Sequence, residues 1–455
     1  IVMRPKNNRR PLPTRSRRKK MQPKMESCIG GGGKDLISNL PDDILVRVLS
    51  LLGPKEVISC GALSRRWTTL PKSVPMTLKF VRKYVTPSLA EEKKFIRQVN
   101  QVLNSYPGET LTELSISYLL RAPDQPSDIC YQFDKWVQFA MAKQLKKFTF
   151  DLSGFTEGFY YPEYDFPPID IGLSRCTLLT DLRLECLNVT GAQIKHFLEC
   201  CPSLESLCVR RSNSLTSLKV DSPIRLKFLE IRFCNKLEYF EISAPNLISF
   251  KYLQYTMKTM PLKCAPRLNE MLVSGYDFIV NNFHLYTSYF SQIETLSLAA
   301  GGSSAQKFHQ RIEVPTLRNL KNLTIHARME ESGLCFSSWI EASPILRRFV
   351  FEEKLRFNKK GIAMKPRMCP HEHLKEVEVV GFMGDILDTE LVMYITENAV
   401  NLNKIVFDCR STHAIGTPFE DGEFKQRSLA GVRARELKSK ITPMISPTVM
   451  CVIIP

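Results

Sequence analysis

Leu204-Glu205-Ser206-Leu207-Cys208-Val209, Leu226-Lys227-Phe228-Leu229-Glu230-Ile231, Leu247-Ile248-Ser249-Phe250-Lys251-Tyr252 and Leu268-Asn269-Glu270-Met271-Leu272-Val273 are four copies of one pattern, Leu-x-x-Leu-x-Leu with conservative replacements. Alternate positions in each copy are apolar, as expected of a strand with one buried face. Further copies begin upstream at Leu111, Leu145 and Leu179, and downstream at Ile293, Leu320, Leu346, Leu374 and Leu402. After the first three starts the interval settles to roughly 21–28 residues. A regular return of this length marks a repeat array.

The period and pattern are those of leucine-rich repeats, so the expected architecture is an α/β solenoid. Each repeat buries its neighbour's apolar face, and the strands line up as one parallel concave sheet. Proline supports the register. Pro202, Pro245, Pro266 and Pro344 each stand two residues before a copy begins, and Pro223 stands three before Leu226. A residue without an N–H fits the entry to a strand and not its interior. Helices are expected on the outer wall at Trp136 to Gln144, Ile194 to Cys201, Trp339 to Ala342 and Leu391 to Val400. Between Leu204 and Leu268, half-copies intervene at Leu215 to Val220 and Leu237 to Ile242. Their β-branched and aromatic residues predict short strands there instead of helices.

Upstream of the array, residues 38–68 read as three short helices. Pro41 suits the first turn of a helix, and Asp42 and Asp43 suit its positive end. Ile44, Leu45, Val48, Leu49 and Leu52 recur at helical spacing, and Gly53-Pro54 ends that helix. Lys55 to Cys60 and Ala62 to Thr68 follow as the second and third. A unit of about 40 residues buries its apolar faces poorly alone, so it needs a partner or the next domain. Leu40-Pro41-Asp42-Asp43-Ile44-Leu45, then Leu51-Leu52-Gly53-Pro54-Lys55-Glu56-Val57, then Leu63-Ser64-Arg65-Arg66-Trp67 resemble a plant F-box. The chain departs from that family at Gly53, where Leu or Ser is usual, and in lacking a second Trp after Trp67.

The F-box resemblance implies a partner, a Skp-type adaptor that connects to a cullin-based ubiquitin ligase. Leu40, Pro41, Ile44, Leu45, Val48, Leu49, Leu52, Pro54, Leu63 and Trp67 are then the expected adaptor-binding residues. The stretches His373 to Phe382, Leu391 to Asn398 and Leu402 to Asp408 resemble the FBD region of plant F-box proteins. The expected organisation is a basic tail and Gly linker at 1–34, the F-box at 35–80, and the solenoid at 81–364. FBD-like terminal repeats and a cap then occupy 365–440, and a tail 441–455. A final amphipathic helix at 427–440 and a last strand or frayed end at 450–455 are expected within these.

The chain has 455 residues, 44% of them hydrophobic and 24% charged, which suits a folded protein. The net charge of +17 is concentrated at one end: residues 1–24 hold ten Lys and Arg and no acid. That run reads either as a nuclear-import signal or as a solvated or untranslated tail, with a transit peptide as a third possibility. Gly33-Lys34 is not a phosphate loop, because Cys28 replaces its first Gly and Asp35 its Ser or Thr. Fourteen cysteines without a C-x-x-C pair suit a reducing compartment, with the protein nuclear and/or cytoplasmic. No apolar run is long enough to predict a membrane span.

The third, fifth and seventh residues of each copy should face the concave side. Arg183, Arg210, Phe228, Glu230, Arg232, Lys251, Leu253, Glu270 and Leu272 are the positions expected to face a protein target. Phe228, Leu253 and Leu272 would form the apolar centre of that face. Signs alternate along it, so a nucleic-acid interface, which needs clustered Lys and Arg, is not expected. Neither is a cofactor or an enzyme. His371-Glu372-His373 lies at the entry to a strand, where alternate residues do not close a metal site. His196, Cys200 and Cys201 read as an outer-wall helix with core-facing cysteines, not as a nucleophile and its base. A repeat scaffold without a ubiquitin-ligase role stands as the alternative reading.

Overall fold

A computed structural model describes residues 37, 39–61, 63–74, 76–82, 89–119, 127–153, 164–168, 173–221, 223–254, 261–274, 287–300, 314–327, 333–353, 369–384, 386–410 and 424–454. The basic run at 1–24 and the glycine run lie outside them.

Three helices open the described chain: α1 (Asp42–Leu49), α2 (Pro54–Cys60) and α3 (Arg65–Ser73). The third starts later than expected, because Ser64 is its N-cap and accepts from the Trp67 N–H at 3.4 Å. The repeat strands are β1 (Met76–Val81), β2 (Thr110–Ser117), β3 (Gln144–Asp151), β4 (Asp181–Glu185), β5 (Ser206–Arg210), β6 (Ser217–Asp221), β7 (Phe228–Arg232), β8 (Tyr239–Ser243) and β9 (Ser249–Leu253). They continue as β10 (Leu262–Cys264), β11 (Glu270–Ser274), β12 (Thr295–Ala300), β13 (Asn322–Ala327), β14 (Arg348–Glu353), β15 (Glu376–Val380), β16 (Lys404–Asp408) and β17 (Met450–Ile454).

Fourteen of these strands form one sheet in the order β1-β2-β3-β4-β5-β7-β9-β11-β12-β13-β14-β15-β16-β17, and every pairing is parallel. The expected α/β solenoid is therefore present. The sheet also begins one strand earlier than the pattern suggested, since β1 straddles residue 80. Its Met-Thr-Leu-Lys-Phe-Val alternation is the ordinary strand signal.

The outer wall carries α4 (Leu89–Ser105), α5 (Ser127–Ala142), α6 (Gly191–Cys200), α7 (Thr287–Phe290), α8 (Ser337–Glu341), α9 (Ile386–Asn398) and α10 (Phe424–Ile441). Helix α4 was not anticipated. It docks through Tyr118, whose hydroxyl donates to Glu92 while Arg82 sits 4.6 Å over its ring. Between α6 and β11 the wall is a second parallel sheet, β10-β8-β6, as the half-copies implied. Each main strand alternates core and concave side chains: in β5, Leu207 and Val209 are buried while Ser206 and Arg210 are only partly covered. One continuous apolar core runs from Leu45 in α1 to Ile441 at the end of α10.

Candidate functional site

Two surfaces stand out, and the sequence builds them differently. In the helical unit, Arg66 donates through Nε to Asp42 Oδ1 at 2.8 Å and through Nη2 to the Leu40 carbonyl, tying α3 to the start of α1. Glu56 Oε2 accepts the Gly53 N–H at 2.7 Å, fixing the turn into α2. Leu45, Leu49, Val57, Trp67 and Leu70 fill the space between the helices.

That packing corrects the expected docking set. Leu45, Leu49 and Trp67 are interior, so they hold the unit's shape and do not offer contact surface. A helix of two turns has several apolar faces, and the stripe covers more than one of them. Ile44, Val48, Leu52 and Leu63 remain exposed, Pro41 is exposed, and Leu40 is half-buried. Pro54 opens α2. Leu51, 83% exposed, was missed; it lies in the turn that follows α1, beyond the helical stripe.

The second surface is the concave face of the large sheet. Parallel register aligns its side chains in rows across the strands. One row runs Asp181, Ser206, Phe228, Ser249 and Glu270; a second runs Arg183, Cys208, Glu230, Lys251 and Leu272. A third brings Glu185, Arg210, Arg232 and Leu253 together. A hollow of about 320 Å³ opens over the first two rows, reaching from Glu113 and Lys147 to Lys251. Phe228 stands in it 44% exposed, with the small side chains of Ser206 and Ser249 on either side. Leu253 and Leu272 do not join it. Each is 8% exposed, so the three-membered apolar centre reduces to Phe228. Neighbouring strands lie about 4.8 Å apart, close enough for long side chains to cover shorter neighbours. Glu113 and Lys147 were missed, though they occupy the third position of the copies at Leu111 and Leu145.

Charges on this face are mostly paired within it. Lys79 meets Glu113 at 2.9 Å, Arg183 meets Glu185 at 2.7 Å, and Lys251 meets Glu270 at 2.8 Å. Arg210 lies between Glu185 and Glu230, and Arg232 also contacts Glu230. Burial opposes the Arg210 charge, but the Cys208 sulfur and the two carboxylates outweigh it and raise its basicity. At Arg232 burial prevails over Glu230, and basicity falls. Burial also raises Glu270, yet hydrogen bonds from Lys251 and Ser249 bring it below the usual carboxylate value. Asp151, beside Glu185 in register, is raised by burial and by that like charge. A face with its ions already paired recognises shape and mixed polarity, not a run of one charge.

Among the described residues, the histidines and cysteines singled out in the sequence are not brought together into one site. His371 is buried with Nε2 3.2 Å from the Tyr394 hydroxyl, and burial lowers its basicity. His373 is exposed, so the two imidazoles do not face one point. His196 lies 3.8–3.9 Å from Cys200 Sγ on α6, away from the concave face. Among the described residues no group of three or more His, Cys, Asp or Glu is placed to hold a metal, and no helix is long and apolar enough to cross a membrane.

Comparison with known proteins bears on both surfaces. The F-box domain model matches residues 37–79. The At1g61320/AtMIF1 LRR domain model matches residues 164–426, more than half of the chain. The chain is 26% identical over 301 residues to the F-box/LRR-repeat protein At3g26922 of Arabidopsis thaliana, covering 60% of this chain and 94% of that protein. It is 25% identical to the F-box/FBD/LRR-repeat protein At4g00160 of the same plant, over 82% of this chain and 86% of that one. The F-box/FBD/LRR-repeat protein At1g78750, also from Arabidopsis thaliana, is 23% identical over 82% of this chain and 89% of its own length.

Proposed function

The chain belongs to the F-box/leucine-rich-repeat family, and from that premise we propose that it is the substrate-recognition subunit of a Skp-cullin-F-box ubiquitin ligase. F-box domains generally bind Skp-type adaptors. The observation that carries the reading here is the row Ile44, Val48, Leu51 and Leu52. It is apolar and exposed along α1 and the turn that follows it, while Leu45, Leu49 and Trp67 are packed inside the unit. Large apolar side chains left in water on so small a unit suit burial by a partner.

The concave hollow around Phe228 supports the second half of the reading, a protein target held on the repeat face. An aromatic side chain ringed by polar groups is the arrangement of an interface hot spot. The subunit makes and breaks no bonds. It raises the effective concentration of target lysines near another protein's thioester.

The test is co-purification of the full chain with a Skp-type adaptor. Replacing Ile44, Val48 and Leu51 together by Asp should abolish capture, with the fold retained because Leu51 is 83% exposed and Ile44 and Val48 are 40% and 44% exposed. Replacing Phe228 by Ala should leave adaptor capture intact and weaken only target retention. Full adaptor binding by the triple variant would overturn the reading in favour of a scaffold without a ligase role.

A further inference from the structure

The turn that enters each repeat strand has a fixed build. Three residues before the leading Leu, a backbone carbonyl accepts that Leu's N–H: Cys176 to Leu179 at 3.1 Å, Cys201 to Leu204 at 3.0 Å, Pro223 to Leu226 at 3.3 Å, Ala244 to Leu247 at 3.1 Å and Ala265 to Leu268 at 3.1 Å. The residues at this position therefore stack from repeat to repeat, just outside the sheet. In two adjacent repeats, those of β4 and β5, both are cysteine.

Strand spacing of about 4.8 Å puts residues so stacked within the Cα separation of about 4.4–6.8 Å that a disulfide spans without backbone movement. The two thiols lie close enough to shift each other's acidity, and the Cys176 sulfur is 3.8 Å from the Met141 carbonyl. Their proximity makes Cys176 the more acidic of the two, while the same proximity and burial raise Cys201. Each side chain is 1% exposed and reduced. Cys200, next in sequence and half-buried, points instead toward His196 on the preceding turn of α6.

We propose that Cys176 and Cys201 are an oxidative modification site, at which a hydroperoxide converts the two thiols to a disulfide that bolts the β4 and β5 repeats together. The Cys176 thiolate attacks the terminal peroxide oxygen. The O–O bond breaks, the sulfur becomes a sulfenic acid, and the departing alkoxide or hydroxide takes up the thiol proton as alcohol or water. The Cys201 sulfur then attacks that sulfenic sulfur, and hydroxide leaves with the second proton as water. The two sulfurs lose two electrons in all and the peroxide gains two. Because both thiols are covered, the peroxide enters through local opening at the end of α6, and the reaction is slow. The bolt lies behind the strands that carry Arg183, Glu185 and Arg210, so oxidation stiffens one end of the concave hollow.

The test uses the full chain treated with millimolar hydrogen peroxide, alkylated after denaturation and digested without reduction. The expected product is a linked peptide pair joining Cys176 to Cys201, 2 Da below the two thiol peptides and released by dithiothreitol. Closing the loop between the two repeats should raise the melting temperature by a few degrees. Both signals should vanish in Cys176→Ser and in Cys201→Ser, and both should persist in Cys200→Ser. Recovery of Cys176 and Cys201 as alkylated thiols once Cys200 is fully oxidised would overturn the assignment, as would loss of the link in Cys200→Ser.

Discussion

Arg210 shows how a single side chain on the concave face serves the fold before any ligand arrives. It lies between Glu185 and Glu230, and all three are largely covered. Removing it strips Glu185 and Glu230 of one guanidinium each in a half-desolvated site and leaves them only Arg183 and Arg232, which costs more than losing an exposed pair. Arg210→Ala should therefore lower stability by about 2 kcal/mol in urea melts. Lys147→Ala, which removes an open 3.8 Å contact to Asp181, should cost under about 1 kcal/mol. Equal losses would show that the central cluster is as hydrated as its rim. The same repeats carry a backbone cost. Cys186, Arg211 and Phe233 leave their strands with φ of 56°, 55° and 53°, a region that disfavours a Cβ by about 1–2 kcal/mol per residue. Each N–H is satisfied by a carbonyl of the next repeat, at 2.9, 2.8 and 2.7 Å, which holds the turn in place.

At the scale of elements, the junction between α6 and β6 decides how the outer wall changes from helix to strand. Thr190 caps α6 in a capping box with Gln193, so the helix starts abruptly at Gly191. A Cβ at Gly191 would lie 1.9 Å from the Ser217 carbonyl oxygen at the start of β6. Only a residue without a side chain lets the helix and the strand meet there. Gly191→Ala should cost about 1–3 kcal/mol by thermal or urea denaturation, through displacement of β6. Retention of the parent midpoint would mean that the junction is soft. Helix α9 poses the opposite case. Its apolar residues face several sides, and Leu391, Val392, Tyr394 and Ile395 are all buried. It is a wall component and not an amphipathic surface helix.

Over the whole molecule, the helical unit and the solenoid are one packed body. Helix α2 contacts β1, and Val74 and Met76 carry the buried core from α3 into the first strand. The F-box thus closes the amino-terminal edge of a fourteen-stranded sheet. A repeat array is stabilised by nearest-neighbour interfaces and needs its ends covered. Deleting residues 37–75 should expose the β1 edge and give a lower melting temperature and association on size exclusion. The Asp triple variant at Ile44, Val48 and Leu51 should instead remain monodisperse. A soluble, equally stable deletion would mean that the two parts are independent.

The repeat period, the parallel strands, the strand-walled stretch between Leu204 and Leu268 and the three helices of the F-box were all legible in the order of residues, because apolar spacing fixes local geometry and each repeat needs only its neighbour. Burial was not. The stripe from Ile44 to Leu52 spells amphipathic helix, but which residues turn inward depends on where α3 and Trp67 pack. Leu253 and Leu272 sit at the expected concave positions, and their covering by neighbours has no counterpart in the alternation of a single strand. The meeting of Cys176 with Cys201 is likewise written in no local motif. It arises because stacking brings equivalent positions of successive repeats within a few ångströms, and only the assembled solenoid sets that distance.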